Sequence, residues 1–270
     1  MKIKWIVGGL LWASSYLQAA AQEYKLWYDE PAQVWTEALP LGNGRLGAMV
    51  FGNPGVEHIQ LNEETIWAGR PNNNANPNAL EYIPKVRQLV FEGKYLEAQT
   101  LATEKIMAKT NSGMPYQSFG DLHISFPGHT RYSDYYRELS LDSARTIVRY
   151  KVDGVTYQRE TLTSFADQVV MVRLTASQPG KITCNANLTT PHQDVMVSTE
   201  GEEVTLSGVS SWHEGLKGKV EFQGRMTARS QGGTQACRDG VLSIEGADEA
   251  VIYISIATNF TNYKLSLIHI

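Results

Sequence analysis

The sequence is poor in cysteine and has no excess of positive charge. Two cysteines in 270 residues, Cys184 and Cys237, are too few for a disulfide scaffold or a cysteine-rich metal site. The 24 basic and 28 acidic residues give a net charge of −4, so we expect neither nucleic acid nor an anionic membrane as a partner. Pairing of the two cysteines stays open because sequence cannot show that their Cα atoms approach, and two free buried thiols are favoured.

Long apolar runs are also missing after the N-terminus. The apolar stretch at residues 5–13 follows Lys2 and Lys4 and precedes three alanines at residues 19–21. It is too short to span a bilayer, and this order predicts a secretory signal over residues 1–21. The alternative, a buried N-terminal helix, is disfavoured by the two lysines. We expect a periplasmic or extracellular protein with no membrane attachment after cleavage.

Alternation of apolar and polar residues dominates the chain after residue 120. Residues 148–152 alternate as VRYKV, and Asp153-Gly154 then supplies the two-residue turn of a β-hairpin. A second Asp-Gly turn at residues 239–240 predicts another hairpin. The apolar run at residues 251–257 predicts a central strand buried on both faces. Many strands with closely spaced turns predict a mainly β fold, an antiparallel sandwich.

One segment departs from this pattern. Between residues 79 and 109 apolar residues recur three and four positions apart, and Gly93 interrupts the series. This spacing predicts two short helices, a small helical insert in the β domain. We expect the pair to cover a face of a sheet.

A glycine-rich stretch near the N-terminus resembles a dinucleotide-binding fingerprint in spacing alone. Gly42, Gly44 and Gly47 match G-x-G-x-x-G, which needs a preceding buried strand and a following helix. Pro40 lies where the preceding strand would be, and residues 46–51 are a short apolar run that predicts a strand. We therefore interpret the glycines as a tight turn or a close backbone approach.

Four motifs, in one order, resemble those of a single enzyme family. They are LGNGRLG at residues 41–47, LNEETIWAG at residues 61–69, YQSFGDL at residues 116–122 and YRELSLD at residues 136–142. Together they are similar to the N-terminal domain of glycoside hydrolase family 95, the α-L-fucosidases. The resemblance runs from about Trp27 to Lys264, and we expect this domain to occupy residues 22–264.

The resemblance implies an antiparallel β-supersandwich that packs, in the family, against an (α/α)6 catalytic barrel. It also implies an inverting hydrolase of fucosylated glycans that works by acid and base catalysis without a cofactor. The family's catalytic carboxylates lie in the barrel, so no catalytic residue is assigned in this chain. We expect the chain to be inactive alone and to meet fucosylated oligosaccharide or polysaccharide only through the barrel.

The polar residues of the first two motifs form the candidate site. We predict that Asn43, Arg45, Asn62, Glu63 and Trp67 dock the barrel and approach the rim of its sugar pocket. Internal bracing of loops is an equal alternative. Glu63 and the glutamate that follows it cannot flank one bond, because adjacent residues of a strand point to opposite faces. Carboxylates that accept bonds from nearby loop amides are the favoured interpretation of this pair.

The sequence around the histidines gives little indication of a catalytic or metal-binding role. His192 and Asp194 could share a strand face, but a metal site needs a third ligand and none is evident. We therefore predict no metal site and expect His192 and Asp194 to be an exposed loop pair. Three further histidines lack a partner nearby in sequence and are predicted to be ordinary core or surface residues: His58, His123 and His129.

The last six residues, 265–270, do not follow the sequence pattern of the rest of the domain. They match the translation of a transposon-end adapter used in preparing sequencing libraries. We therefore predict an artificial terminus after Lys264, with the natural reading frame continuing into the barrel. A natural short protein that ends in an apolar strand is the alternative.

Two other functions stay open. A free-standing carbohydrate-binding module could use Trp67, Trp212 and the asparagine-rich loop at residues 69–78, and burial of both tryptophans would count against it. Similar supersandwich domains also accompany other glycosidases and sugar phosphorylases, so the barrel could carry a different activity. A serine hydrolase is disfavoured because the G-x-S-x-G nucleophile elbow is absent.

Overall fold

The computed structural model describes residues 23–108 and 113–261. The predicted secretory signal at residues 1–21 and the predicted terminus after Lys264 lie outside the described residues. None of the described helices is both long and apolar enough to cross a bilayer.

The described residues form two antiparallel sheets, as the alternating pattern predicts. The strands are β1 (Lys25–Tyr28), β2 (Leu39–Gly42), β3 (Leu46–Val50), β4 (Val56–Glu63), β5 (Gly120–Ser125), β6 (Ser133–Ser140), β7 (Arg145–Val152), β8 (Val155–Thr163), β9 (Val170–Ala176), β10 (Ile182–Thr189), β11 (Val195–Glu200), β12 (Glu203–Val209), β13 (Glu221–Gln231), β14 (Thr234–Arg238), β15 (Val241–Ala247) and β16 (Glu249–Thr258). The larger sheet has the order β1-β6-β7-β8-β9-β16-β13-β12-β11 and the smaller sheet the order β14-β15-β10-β5-β4-β3-β2. The mainly β sandwich is therefore confirmed.

The two Asp-Gly turns form the predicted hairpins. Asp153 and Gly154 connect β7 to β8 with φ angles of 48° and 79°. Asp239 and Gly240 connect β14 to β15 with φ angles of 51° and 78°. Positive φ at both central residues is the requirement of a type I′ turn, whose twist matches that of the paired strands.

The core lies between the sheets, and β16 shows how it is made. Alternate residues from Ala250 to Ile256 are almost completely buried, whereas Val251 and Tyr253 on the opposite face are half-buried. The prediction that this strand is buried on both faces is wrong. The strand is central in its sheet, but only one face of that sheet packs against the other sheet, and successive side chains point to opposite faces.

The helical insert is present, but it does not cover a sheet. Helices α1 (Ala79–Phe91) and α2 (Tyr95–Lys105) are separated at Gly93, whose φ is +73°. They pack against each other, and within the described chain neither makes extensive contact with a strand. Leu80 and Phe91 are about four-fifths exposed. The predicted role as a sheet cover is therefore wrong, and the pair forms a projection beside the sandwich.

A buried ion pair joins the two sheets. The Nη1 atom of Arg159 on β8 lies 3.0 Å from Oε2 of Glu57 on β4, and each side chain is 2% exposed. Arg159 also donates to the carbonyl oxygens of Asn53 and Pro54 and to the hydroxyl of Tyr150. Glu57 accepts two backbone amides as well. These bonds offset much of the cost of burying the two charges, although Nε of Arg159 is buried without a hydrogen-bond partner among the described residues.

The two cysteines are free thiols, as favoured from the sequence. Cys184 on β10 and Cys237 on β14 flank the same strand, β15. Two strand spacings separate them by at least about 9–10 Å, and their partners on β15, Ile244 and Leu242, are two residues apart. Their Cα atoms are therefore beyond the reach of a disulfide. Cys184 is buried and Cys237 is half-buried, so the predicted burial holds for Cys184 only. Burial raises the pKa of the Cys184 thiol to about 12, so it stays protonated at neutral pH.

Replacement of Arg159 with alanine should lower the free energy of unfolding by about 3–5 kcal/mol, because it leaves the Glu57 carboxylate buried and unpaired. Urea denaturation measures the change. Arg173→Ala is the matched control, since Arg173 pairs with Glu249 at the surface and such pairs contribute about 1 kcal/mol or less. Equal losses in the two variants would contradict the special role of the buried pair.

Candidate functional site

The glycine-rich stretch forms the hairpin between β2 and β3. Asn43 closes the turn, because its Oδ1 accepts the amides of Arg45 at 3.0 Å and Leu46 at 2.7 Å. Gly44 adopts a φ of +92°, a conformation that favours glycine. A strand follows the glycines, as predicted, so no helix N-terminus is available for a dinucleotide. Pro40 is tolerated within β2 because this strand lies at the sheet edge.

Asn43 and Arg45 connect this hairpin to the larger sheet. The Nδ2 atom of Asn43 donates to the carbonyl oxygen of Ser164 at 2.8 Å, in the loop between β8 and β9. Arg45 donates from Nε to Gln168 at 2.9 Å and from Nη1 to the carbonyl of Ile256 at 2.8 Å. Both predicted residues therefore brace one end of the sandwich.

Glu63 ends β4 beneath this hairpin and is 2% exposed. Its Oε2 accepts the backbone amide of Thr65 at 2.8 Å and the Thr65 hydroxyl at 2.6 Å, while Oε1 lies 3.6 Å from Nη1 of Arg45. Glu64 is exposed. The two glutamates therefore do not form a catalytic pair, and Glu63 satisfies nearby loop donors as the sequence indicated.

Trp67 lies next along the chain and is 46% exposed. Its Nε1 donates to the carbonyl of Glu64 at 3.1 Å, and its ring meets Tyr116 edge-on with centroids 5.2 Å apart. The Tyr116 hydroxyl donates to the carbonyl of Glu63 at 3.2 Å and is also bonded to the Asn62 side chain. Partial burial raises the pKa of Tyr116 above its ordinary value. The structure thus brings all five predicted residues together at one end of the sandwich.

A cleft of about 340 Å³ opens beside Trp67. Its apolar lining comes from Trp67, Met114, Val220 and Phe260, and Asn72 of the asparagine-rich loop contributes to its rim. Gly69 lies against Met114 so closely that an added Cβ would be 2.4 Å from the sulfur. An apolar cleft with a polar rim can accept either a ring face of a sugar or side chains of another protein surface.

Trp212 belongs to the same end of the molecule. The backbone amide of Gly69 donates to the carbonyl of Ser211 at 2.8 Å, and the amide of Lys219 donates to the carbonyl of Gly69 at 3.0 Å. These bonds place the Trp212 segment beside the Trp67 segment. Trp212 is 62% exposed, so both tryptophans present accessible ring surface.

His192 departs from its prediction as an exposed loop residue. It is 5% exposed, its Nδ1 lies 3.2 Å from the Ser211 hydroxyl, and its Nε2 lies 3.0 Å from the carbonyl of Ser118. Its ring also packs on Phe222. Asp194 is exposed. The prediction is wrong for His192 because its partners come from segments remote in sequence, which leave no local signal.

The structure also assembles a cluster that sequence reasoning missed. His58 on β4 lies opposite His123 on β5, and Asp121 is two residues from His123 on the same face. The Asp-x-His spacing on a strand was a usable signal, but the cross-strand histidine was not visible in sequence. His129, in contrast, is a core residue with its Nδ1 2.9 Å from the Tyr150 hydroxyl.

Comparison with known proteins places most of the chain in one family. Residues 26–263 match the family described as "Glycosyl hydrolase family 65, N-terminal domain". "Alpha-L-fucosidase 2" of Arabidopsis thaliana is 32% identical over 269 residues, which cover 90% of this chain and 31% of that protein. "Probable alpha-fucosidase A" of Aspergillus niger is 28% identical over 257 residues, which cover 89% and 31%. The chain thus spans less than a third of the length of these relatives.

One solved structure that matches this chain is named "Putative kojibiose phosphorylase from human microbiome". It is 10% identical with a TM-score of 0.47, and the match covers 87% of this chain and 32% of that one.

Replacement of Asn43 with alanine should lower the free energy of unfolding by about 1–3 kcal/mol, because buried donors and acceptors lose their partners. Thermal or urea unfolding measures the loss. Asn78→Ala is the matched control: Asn78 precedes α1 but its side chain makes no capping bond, so we expect a change within about 0.5 kcal/mol. Equal stabilities of the Asn43 variant and the parent would contradict the bracing role.

Proposed function

The chain belongs to the family of glycosyl hydrolase family 65 N-terminal domains. Its four motifs indicated the N-terminal domain of glycoside hydrolase family 95, the α-L-fucosidases, and its similarity to proteins named α-fucosidases agrees with that. We propose that the chain is the accessory domain of a secreted α-L-fucosidase. The observation that carries the proposal is the alignment with proteins named α-fucosidases over nine-tenths of this chain but 31% of their length. The complete protein hydrolyses fucosylated glycans with inversion of configuration. Secretion is supported by the signal pattern at residues 1–21.

The catalytic carboxylates belong to a barrel outside this domain. Inverting hydrolysis needs an acid and a base roughly 6.5–9.5 Å apart, so that a water molecule fits between the base and the sugar. Glu63, the buried carboxylate of the candidate site, already bonds Thr65 and lies beside Arg45. It is held as a brace and faces no open cleft. In our proposal, the chain by itself therefore does not hold a glycosidic bond in position for cleavage.

The Trp67 end of the sandwich is the surface that docks the barrel. Exposed aromatic residues are unusual in a group on a monomeric protein, and such patches mark interaction sites. Here four of them lie at or beside one cleft: Trp67, Tyr116, Trp212 and Phe260.

The five candidate residues have different roles in docking. Trp67 contacts the barrel and approaches the rim of the sugar pocket. Asn43, Arg45 and Glu63 hold the Trp67 segment in place through bonds within the domain, and Asn62 orients Tyr116. The two interpretations of these residues, docking and bracing, are thus combined.

The test uses the product of the reading frame extended past Lys264, compared with the chain alone, in an assay of fucose release from a fucosylated oligosaccharide. We expect release only by the longer protein. Within it, Trp67→Ala should lower kcat/KM by about tenfold or more, because a misplaced pocket rim weakens transition-state binding. Release at equal rates by the chain alone would overturn the proposal.

Trp27→Ala is the matched control in the longer protein. Trp27 is also exposed, at 58%, but lies on the edge strand β1 and stacks on Tyr136. We expect its kcat/KM to stay at the parent value. Assay of an L-galactosyl substrate and of an α-glucoside beside the fucoside distinguishes a fucosidase from another barrel glycosidase.

A second candidate function is a free-standing carbohydrate-binding module. The observation that favours it is the exposure of Trp67 and Trp212, at 46% and 62%, since sugar-binding modules present aromatic ring faces to solvent. In this function the cleft beside Trp67 binds a glycan directly, without a barrel.

Isothermal titration of the chain with a fucosylated oligosaccharide tests the module. A module predicts saturable binding with Kd below about 1 mM that is lost in Trp67→Ala and kept in Trp27→Ala. The accessory domain predicts no saturable heat, because its apolar cleft is shaped for a protein surface. Binding by the chain would therefore favour the second function over the first.

A further inference from the structure

The outer face of the smaller sheet carries two histidines and an aspartate on paired strands. β4 and β5 are antiparallel neighbours, and their register places His58 directly opposite His123. Asp121 precedes His123 by two residues, so it lies on the same face of the sheet. This cluster differs in role from the five candidate residues, because it takes no part in bracing the hairpin end of the sandwich.

The ligand atoms of the three side chains lie near one another. The Nε2 atom of His58 lies 2.6 Å from Oδ1 of Asp121, and one ligand atom of each residue lies within 4.8 Å of those of the other two. Ligand atoms around a four-coordinate zinc ion are about 3.4 Å apart, given bond lengths of about 2.0–2.2 Å. Coordination of one ion therefore requires side-chain rotation, in which Nε2 of His58 and Oδ1 of Asp121 move apart from 2.6 Å.

The surroundings suit a metal ligand set that is open to solvent. The side chains of His58 and Asp121 are 32% and 25% exposed, so an ion can reach them. The ring of Phe51 stacks on that of His58 with centroids 4.3 Å apart, which limits rotation of the imidazole.

We propose that His58, Asp121 and His123 form a binding site for a divalent transition metal ion, with Zn²⁺ as the preferred ion. Two imidazoles with one carboxylate are a donor set of zinc and its neighbours, whereas Ca²⁺ and Mg²⁺ prefer oxygen ligands throughout. Three protein ligands leave at least one coordination position for water or for a group from another molecule. The site goes beyond the proposed accessory function and does not depend on it.

The same geometry has a simpler interpretation, in which His58 and Asp121 form a surface ion pair and the two imidazoles stack. The ring centroids of His58 and His123 are 5.0 Å apart with an interplanar angle of 17°. The two interpretations predict different responses to zinc, because only coordination requires all three residues at once.

Calorimetric titration of the chain with ZnCl₂, and the visible absorption of the Co²⁺-loaded chain, test the site. We expect one ion per chain at pH 7. Replacement of each ligand in turn, by His58→Asn, Asp121→Asn and His123→Asn, should lower the zinc affinity by about tenfold or more. His213→Asn is the matched control, since the side chain of His213 is partly exposed and its Nε2 lies 3.9 Å from Glu214, and this variant should bind zinc as the parent does.

X-ray absorption spectroscopy of the zinc-loaded parent chain gives a reading that needs no variant. Two imidazoles in the zinc shell support the site, and fewer than two overturn it. Absence of binding below about 1 mM zinc, or affinity that survives all three substitutions, overturns it as well. Circular dichroism of each variant separates loss of a ligand from loss of the fold.

Discussion

The ion pair between Arg159 and Glu57 is the constraint on which the arrangement of the two sheets depends. Two charges removed from water destabilise a core unless they are paired and hydrogen-bonded. Here Arg159 bonds the carboxylate and the carbonyl oxygens of the turn at residues 53–54. A shift of one sheet over the other would break several of these bonds at once. The surrounding apolar residues contribute most of the burial, but they specify the relative position less sharply, since apolar contact is not directional.

The same strand, β4, carries a second buried carboxylate at its other end. Glu63 lies six residues after Glu57, about 20 Å along the strand, and is held by Thr65 and Arg45. Because Arg45 also bonds the carbonyl of Ile256 on the larger sheet, both ends of β4 connect the two layers. The aromatic surface around Trp67 is therefore presented by a rigid support, which is what a docking surface or a pocket rim requires.

The structure separates three regions with different chemistry on one domain. The interior is mainly apolar but also contains ion-paired and other polar side chains, such as His129. The hairpin end carries exposed aromatic rings beside a cleft. The outer face of the smaller sheet carries imidazoles and a carboxylate. The helical projection of α1 and α2 leaves further apolar residues exposed, such as Phe91. Exposed apolar patches of this kind often mark interaction sites.

The amino-acid sequence is enough to predict the fold class, both Asp-Gly hairpins, the strand after the glycine turn and the family, because these depend on local alternation, turn chemistry and ordered motifs. It also identified five residues that prove to be neighbours. Which of them are braces and which are exposed depends on the three-dimensional arrangement, since the partners of the Asn43 Nδ2 group lie more than 100 residues away in sequence. For the same reason it alone revealed the burial of His192, the one-sided burial of β16 and the pairing of His58 with His123. A local pattern determines the face of a strand on which a side chain lies. Contacts between distant segments determine which residues that face packs against.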